Sequence, residues 1–153
     1  MLKQKTKIVA FGKAKNSEYF PALEEFKKRL GKTTEIIELE PVKGNNPEDM
    51  LRKEEKILAP YFDNNYFKII LDGNGKKFSS TEFNKKLTIL SEHYQSIYFF
   101  IGSSYGFSDK TKEKANLLLS LSNMTMPHLL ARLILLEQIY RSAMITQKHP
   151  YHK

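Results

Sequence analysis

Continuous apolar runs recur along the chain, separated by stretches whose apolar residues fall three or four positions apart. KIVAF (7–11), FKIIL (67–71) and SIYFFI (96–101) are closed by Gly12, Asp72-Gly73 and Gly102. Short runs rich in branched and aromatic residues predict strands buried on both faces. TEIIEL (34–39) predicts another strand, and LSLSNM (119–124) a short extended piece. Between them, Tyr19, Phe20, Leu23, Phe26 and Leu30 keep helical spacing behind a cap at Asn16 or Ser17. Pro47, followed by Glu48 and Asp49, suits the first turn of a helix running towards Ala59. Ser79 and Glu82 have capping-box spacing and open a helix to about Ser91. Asp109 is expected to cap a helix to about Leu119, and a long helix is expected over 128–145. Strands alternating with helices predict an α/β fold: a mostly parallel sheet flanked by helices, in one domain over 1–153.

The last helix departs from the pattern of the others. Leu129, Leu130, Leu133, Ile134, Leu135, Leu136, Ile139, Tyr140, Ala143 and Met144 wrap most of its circumference. A helix covering one face of a sheet needs a single apolar stripe. Arg132, Glu137, Gln138 and Arg141 interrupt the run too often for a membrane span. Burial on two sides, against the sheet and against a second subunit, accounts for the pattern, so a homodimer is expected.

Composition narrows the partners. The 153 residues include no cysteine, which excludes disulfides and thiolate metal sites and fits a reducing, cytoplasmic setting. The basic start MLKQK precedes too short an apolar core for a signal peptide. A formal charge of +8 favours a polyanionic partner, nucleic acid being the commonest. Lysines at 13–15, 27–32, 76–77 and 110–114 are the candidates for phosphate contact.

Several familiar motifs fail on inspection. GNGK (73–76) lacks the first glycine of a phosphate loop, since position 70 is Ile70, and Lys77 stands where Ser or Thr is required. FGKAKNSEY after the first strand holds one glycine, not the dinucleotide fingerprint. His149 and His152 have no acidic companion in the tail, so no metal site is expected. What remains is placement. Ligands of open α/β sheets sit beyond the carboxyl ends of the strands. Those ends deliver Leu71-Asp72-Gly73, Ile101 to Gly106, and Leu121 to Met126. Glycine turns admit a ligand to the backbone, while Leu and Met can flank an aromatic ring such as adenine.

FIGSSYGFSD, followed by LSLSNMTMPHLLARLILLEQIYRSAMITQKHPYHK, resembles the RlmH family of SPOUT-class RNA methyltransferases. KIVAFGK and LDGNGK fit as well, so the likeness spans essentially the whole chain. Members commonly carry two adjacent glycines where this chain has Gly102-Ser103, and Pro or Asn where it has Tyr105. The resemblance implies methylation of N3 of a pseudouridine in large-subunit (23S) ribosomal RNA, with S-adenosylmethionine as cofactor. It also implies a C-terminal trefoil knot and a homodimer built around it. Carried over, it places Leu71, Gly102, Leu121, Ser122, Asn123, Met124, Thr125 and Met126 around the cofactor. The candidate catalytic residues are His152 and Tyr151 in the tail and Arg132, with Arg141 or Lys153 as further cations beside an anionic base. The tail would close over the cofactor, Tyr151 stacking on the target base. The competing expectation is a non-catalytic RNA- or ribosome-binding protein that keeps the fold, with Ser103 and Tyr105 as its support.

Overall fold

A computed structural model describes residues 5–62 and 65–153; residues 1–4, within the basic N-terminal flank, lie outside the described residues. Strands β1 (Lys5–Phe11), β2 (Thr34–Leu39), β3 (Phe67–Lys77), β4 (Ser96–Ile101) and β5 (Leu117–Ser120) form one parallel sheet in the order β2-β1-β4-β3-β5. Helices α1 (Phe20–Leu30), α2 (Pro47–Leu58), α3 (Ser80–His93), α4 (Asp109–Lys112) and α5 (His128–Thr146) connect and cover it.

Both faces of the sheet are packed, which is why its strands are apolar without alternation. Ile8, Ala10, Ile69, Ile97, Phe99 and Ile101 join one core cluster with Leu23 of α1, Leu87 of α3 and Leu135 and Ile139 of α5. Val9, Phe11, Ile70 and Phe100 join a second cluster with Leu58 of α2 and Phe107. The expected α/β architecture is present, with every strand pairing parallel.

Three local expectations are corrected. The first helix starts at Phe20 and has no side-chain cap. Pro21 has no N–H and would break a helix already begun at Ser17, so it sits in the first turn instead. Ser17 spends its hydroxyl on the Ala14 carbonyl at 2.7 Å. The helix expected to reach Leu119 stops at Lys112, and its cap is Ser108, which accepts from the Thr111 amide. Pairing with β3 overrides helix propensity here: Asn116 Oδ1 accepts from the Lys68 amide at 2.8 Å and Leu117 to Ser120 join the sheet edge. The extended piece is therefore 117–120, with 121–127 left as a loop. Finally, β3 does not end at Leu71. Leu71 and Lys76 both register on Leu119, so Asp72 to Gly75 bulge out of the strand. A Cβ on Gly75 would lie 2.6 Å from the Leu118 carbonyl carbon, which reserves that position for glycine.

Candidate active site

The carboxyl ends of β3, β4 and β5 open into a cleft of about 730 Å3. Its walls include Leu71, Gly102 and the whole run Leu121, Ser122, Asn123, Met124, Thr125 and Met126, together with Asp72, Ser103 and His128. All eight residues expected around the cofactor thus face one space.

Each wall is built from a constrained turn. The bulge is held by Asp72, whose Oδ1 accepts from the Asn74 amide at 3.0 Å and whose Oδ2 pairs with Lys112 Nζ at 2.9 Å. The Asn74 amide first, then the Lys112 ammonium, hold the Asp72 carboxyl below the usual range. The second turn folds Gly106 back on Gly102, with the Gly106 amide donating to the Ser103 carbonyl at 2.9 Å. A Cβ on Gly102 would meet the Gly106 carbonyl oxygen at 2.7 Å, and Gly106 has a φ of 67°. Lys148 is the one non-glycine residue among those described with positive φ, so Ser103 fits this turn without strain. Glu54 of α2 lies beneath it, only 2% exposed, with the Ser103 hydroxyl beside it. Burial pushes its pKa up against the smaller pull of that hydroxyl. In the third turn, Ser122 Oγ accepts from the Met124 amide at 2.9 Å and Ser120 Oγ donates to the Ser122 carbonyl at 3.0 Å.

Helix α5 starts at this cleft. His128, in its first turn, and Ala131 complete the lining. His128 is exposed to solvent overall; partial desolvation and then the charge of Arg132 push its pKa down. His128 is not among the residues expected at the cleft from the sequence. Its signal was position: a histidine opening the helix immediately after the third turn must stand at the sheet's carboxyl edge.

Arg132 is elsewhere than expected. The side chain is 1% exposed, and its guanidinium donates to Glu38 Oε2 at 2.7 Å and to the Gly12 carbonyl at 3.1 Å. Glu38 Oε2 also accepts from the Ala14 amide at 2.8 Å. Arg132 therefore locks α5 to the ends of β1 and β2. It lies outside the cleft lining.

Tyr151 and His152 pack against the second half of α5. The tail folds back along the helix as far as Glu137, nine residues or roughly 13 Å from His128, and none of its residues lines the protomer's own cleft. Lys148, with φ 55°, turns the chain back, and the His149 amide bonds the Met144 carbonyl at 2.9 Å. The Tyr151 hydroxyl donates to Glu137 Oε1 at 3.0 Å, its ring meets Tyr140 edge-on at 4.9 Å, and Arg141 lies 4.8 Å from its centroid. Burial first, then the Glu137 carboxylate, push the phenol pKa up, so Tyr151 stays protonated. Arg141 pairs with Glu137 at 2.6 Å and reaches His152 Nδ1 at 3.3 Å. The four groups form one interlocked unit.

Comparison with known proteins fits this geometry. The family model described as "Predicted SPOUT methyltransferase" matches residues 4–152. The chain belongs to the SPOUT methyltransferase family. Among curated relatives of this SPOUT protein, "Ribosomal RNA large subunit methyltransferase H" of Dictyoglomus thermophilum is 45% identical, covering 95% of this chain and 97% of its own length. The protein of the same description from Streptococcus gordonii is 41% identical, covering 97% and 99%. Among solved structures, a methylase family protein of Haemophilus influenzae Rd KW20 superposes with a TM-score of 0.59 at 11% identity, over 97% of this chain and 68% of that one. A Legionella pneumophila structure, described as a methyltransferase in complex with the bound cofactor SAM, gives 0.51 at 16% identity, over 92% and 67%. At those identities the two structures speak for the fold alone. Among the described residues no helix is long and apolar enough to cross a membrane, and no cluster of His, Cys, Asp or Glu could hold a metal.

Proposed function

We propose that this SPOUT protein methylates N3 of a pseudouridine in large-subunit ribosomal RNA, using S-adenosylmethionine. One observation carries the cofactor: the cleft lining holds no lysine or arginine, and its ionisable side chains are Asp72 and His128. ATP or a nicotinamide dinucleotide would bring phosphates with no cation to meet them. A zwitterionic adenosyl ligand needs none, and 730 Å3 lies within the usual range for small-molecule sites. Leu71, Gly102 and Leu121 to Met126 would hold it through backbone groups, with Leu and Met flanking the adenine. When bound, it supplies an electrophilic methyl group. The near-complete coverage of relatives described as ribosomal RNA large subunit methyltransferases supports the substrate.

The chain's own groups then bring the nucleotide into line and take up its imide proton. Alignment alone can lower a barrier by about 7–11 kcal/mol in ideal cases. His128 is placed to accept the proton from within the cleft. The tail belongs to the neighbouring subunit's site. Leu130, Leu133 and Ile134 lie half-buried on α5 in the protomer and would be covered in a homodimer. Two α5 helices packed antiparallel about a twofold axis set the tail of each against the other's cleft. Tyr151 of the partner subunit would stack on the base, with His152 of the partner subunit beside it. The segment 121–127 and α5 are the part of the chain that would thread the trefoil knot.

A non-catalytic binding protein rested on Ser103 and Tyr105. Ser103 sits in ordinary backbone geometry, and Tyr105 does not line the cleft. The test has two steps. S-adenosylmethionine at 100 times its dissociation constant should stabilise the fold by about 2.7 kcal/mol in a melting curve, while ATP and NAD do not. Ribosomes from cells lacking the protein should then gain one methyl group, mapped to pseudouridine N3. No melting shift at millimolar cofactor would favour the binding protein.

A further inference from the structure

Three large apolar side chains stand exposed among the described residues, and two of them flank this cleft: Tyr105 at 48% and Met124 at 80%. Tyr105 sits between Ser104 and Gly106, both in the cleft wall, yet the ring itself is outside the lining. The turn that carries it is rigid, being pinned by the Gly106 amide and by the close approach of Gly102 to Gly106. An aromatic ring held in water on a fixed turn has no packing duty in the protomer. Ordered in advance, it offers a stacking face at little entropic cost.

Topology sorts the lysines around that ring. Lys13 and Lys15 follow β1, Lys76 and Lys77 return from the β3 bulge beside the end of β5, and Lys110 lies in α4, whose Lys112 grips Asp72. All five are exposed and lie towards the sheet's carboxyl edge. Lys27 and Lys28, in the last turn of α1, and Lys32, in the turn between α1 and β2, instead lead into the start of β2, at the opposite edge. Lys13 pairs with Glu40 at 3.4 Å, but both are mostly exposed, so that bond yields easily to a phosphate.

The geometry points to a single-stranded RNA platform at the cleft mouth: Tyr105 stacks on a nucleotide neighbouring the one that enters the cleft, and the carboxyl-edge lysines track its phosphates. This rests on the reading of the cleft as an RNA methylation site and names the surface that presents the substrate. The partner is single-stranded because a base must be unpaired to offer its face.

The test uses the full-length protein and a labelled single-stranded RNA of about 12 nucleotides, titrated at several salt concentrations. Tyr105→Ala should weaken binding about tenfold, and Tyr105→Trp should restore it. Lys76→Ala with Lys77→Ala should flatten the salt slope by about 1.4, at 0.7 per phosphate contact, whereas Lys27→Ala with Lys28→Ala should leave it unchanged. S-adenosylmethionine affinity, read by melting on the same samples, should be untouched by Tyr105→Ala. Binding by Tyr105→Ala within twofold of the parent, or equal slope changes from both lysine pairs, overturns the platform. A parent protein that shows this RNA binding but no cofactor shift and no methyl transfer overturns the functional reading and leaves the platform standing.

Discussion

The first turn of α5 and its second half are built from opposite materials. At its start, around His128, the surroundings are turns of glycine, serine, leucine and methionine. Along its second half, Glu137, Arg141, Tyr151 and His152 are tied to one another by side-chain contacts. A cleft shaped by constrained turns depends on its chain path, whereas a side-chain cluster depends on its individual groups. On the proposed reading, the cofactor would be recognised by the first and the substrate handled by the second.

That contrast can be broken from either side. Removing residues 150–153 should produce the largest effect: turnover falls by at least about a hundredfold from lost positioning, while melting temperature and dimerisation stay close to the parent. Unchanged turnover in the truncated protein would remove the tail from the mechanism. Arg132→Met comes next and should act on stability. Breaking a buried pair typically costs about 3–5 kcal/mol, and the partial exposure of Glu38 places this one at the low end, measurable by urea unfolding. A full loss of activity with no loss of stability would show that Arg132 works on substrate directly.

His128→Gln is the sharper probe of the cleft. Because partial desolvation and Arg132 push its pKa below the ordinary value of about 6.5, the acid limb of kcat/KM should lie below that pH. The variant should lose that limb along with most of the rate. A limb left in place would assign it to another group, such as His152 of the partner subunit.

The smallest effect is expected at Glu54. Its folded pKa is raised, so the folded state favours the protonated form and stability falls as pH rises through that pKa. The penalty is absent below the unfolded value of about 4.3 and present at neutral pH. Glu54→Gln should therefore raise the melting temperature at pH 7 and lose that advantage near pH 4. An equal gain at both pH values would mean that charge burial is not the cause.

The sequence disclosed what short-range physics determines. The capping box of Ser79 and Glu82 forms as its spacing requires, with bonds of 3.1 and 2.7 Å, and the apolar runs became strands in parallel register. The three strand-end turns were legible because strand polarity alone places them on one edge. The β5 start was not, since Leu117 and Leu118 suit a helix until β3 offers an edge to pair with. The place of Arg132 was equally hidden: a cation spaced along an apolar helix suits a catalytic role on paper until Glu38 and the Gly12 carbonyl come to meet it across the sheet. The return of the tail along α5 to Glu137 was hidden as well, because nothing in the residue pattern around Lys148 announces the positive φ that turns the chain back.

The central claim is that a cleft from one subunit and a tail from the other make one site, and co-expression of two inactive variants tests it most directly. Gly102→Val destroys the cleft and keeps the tail; truncation at residue 149 does the opposite. Random pairing makes about half the dimers mixed, each with one complete site of two, so roughly a quarter of parental methyl transfer should return. Activity no higher than the sum of the two variants alone, with mixed dimers present, would contradict the account.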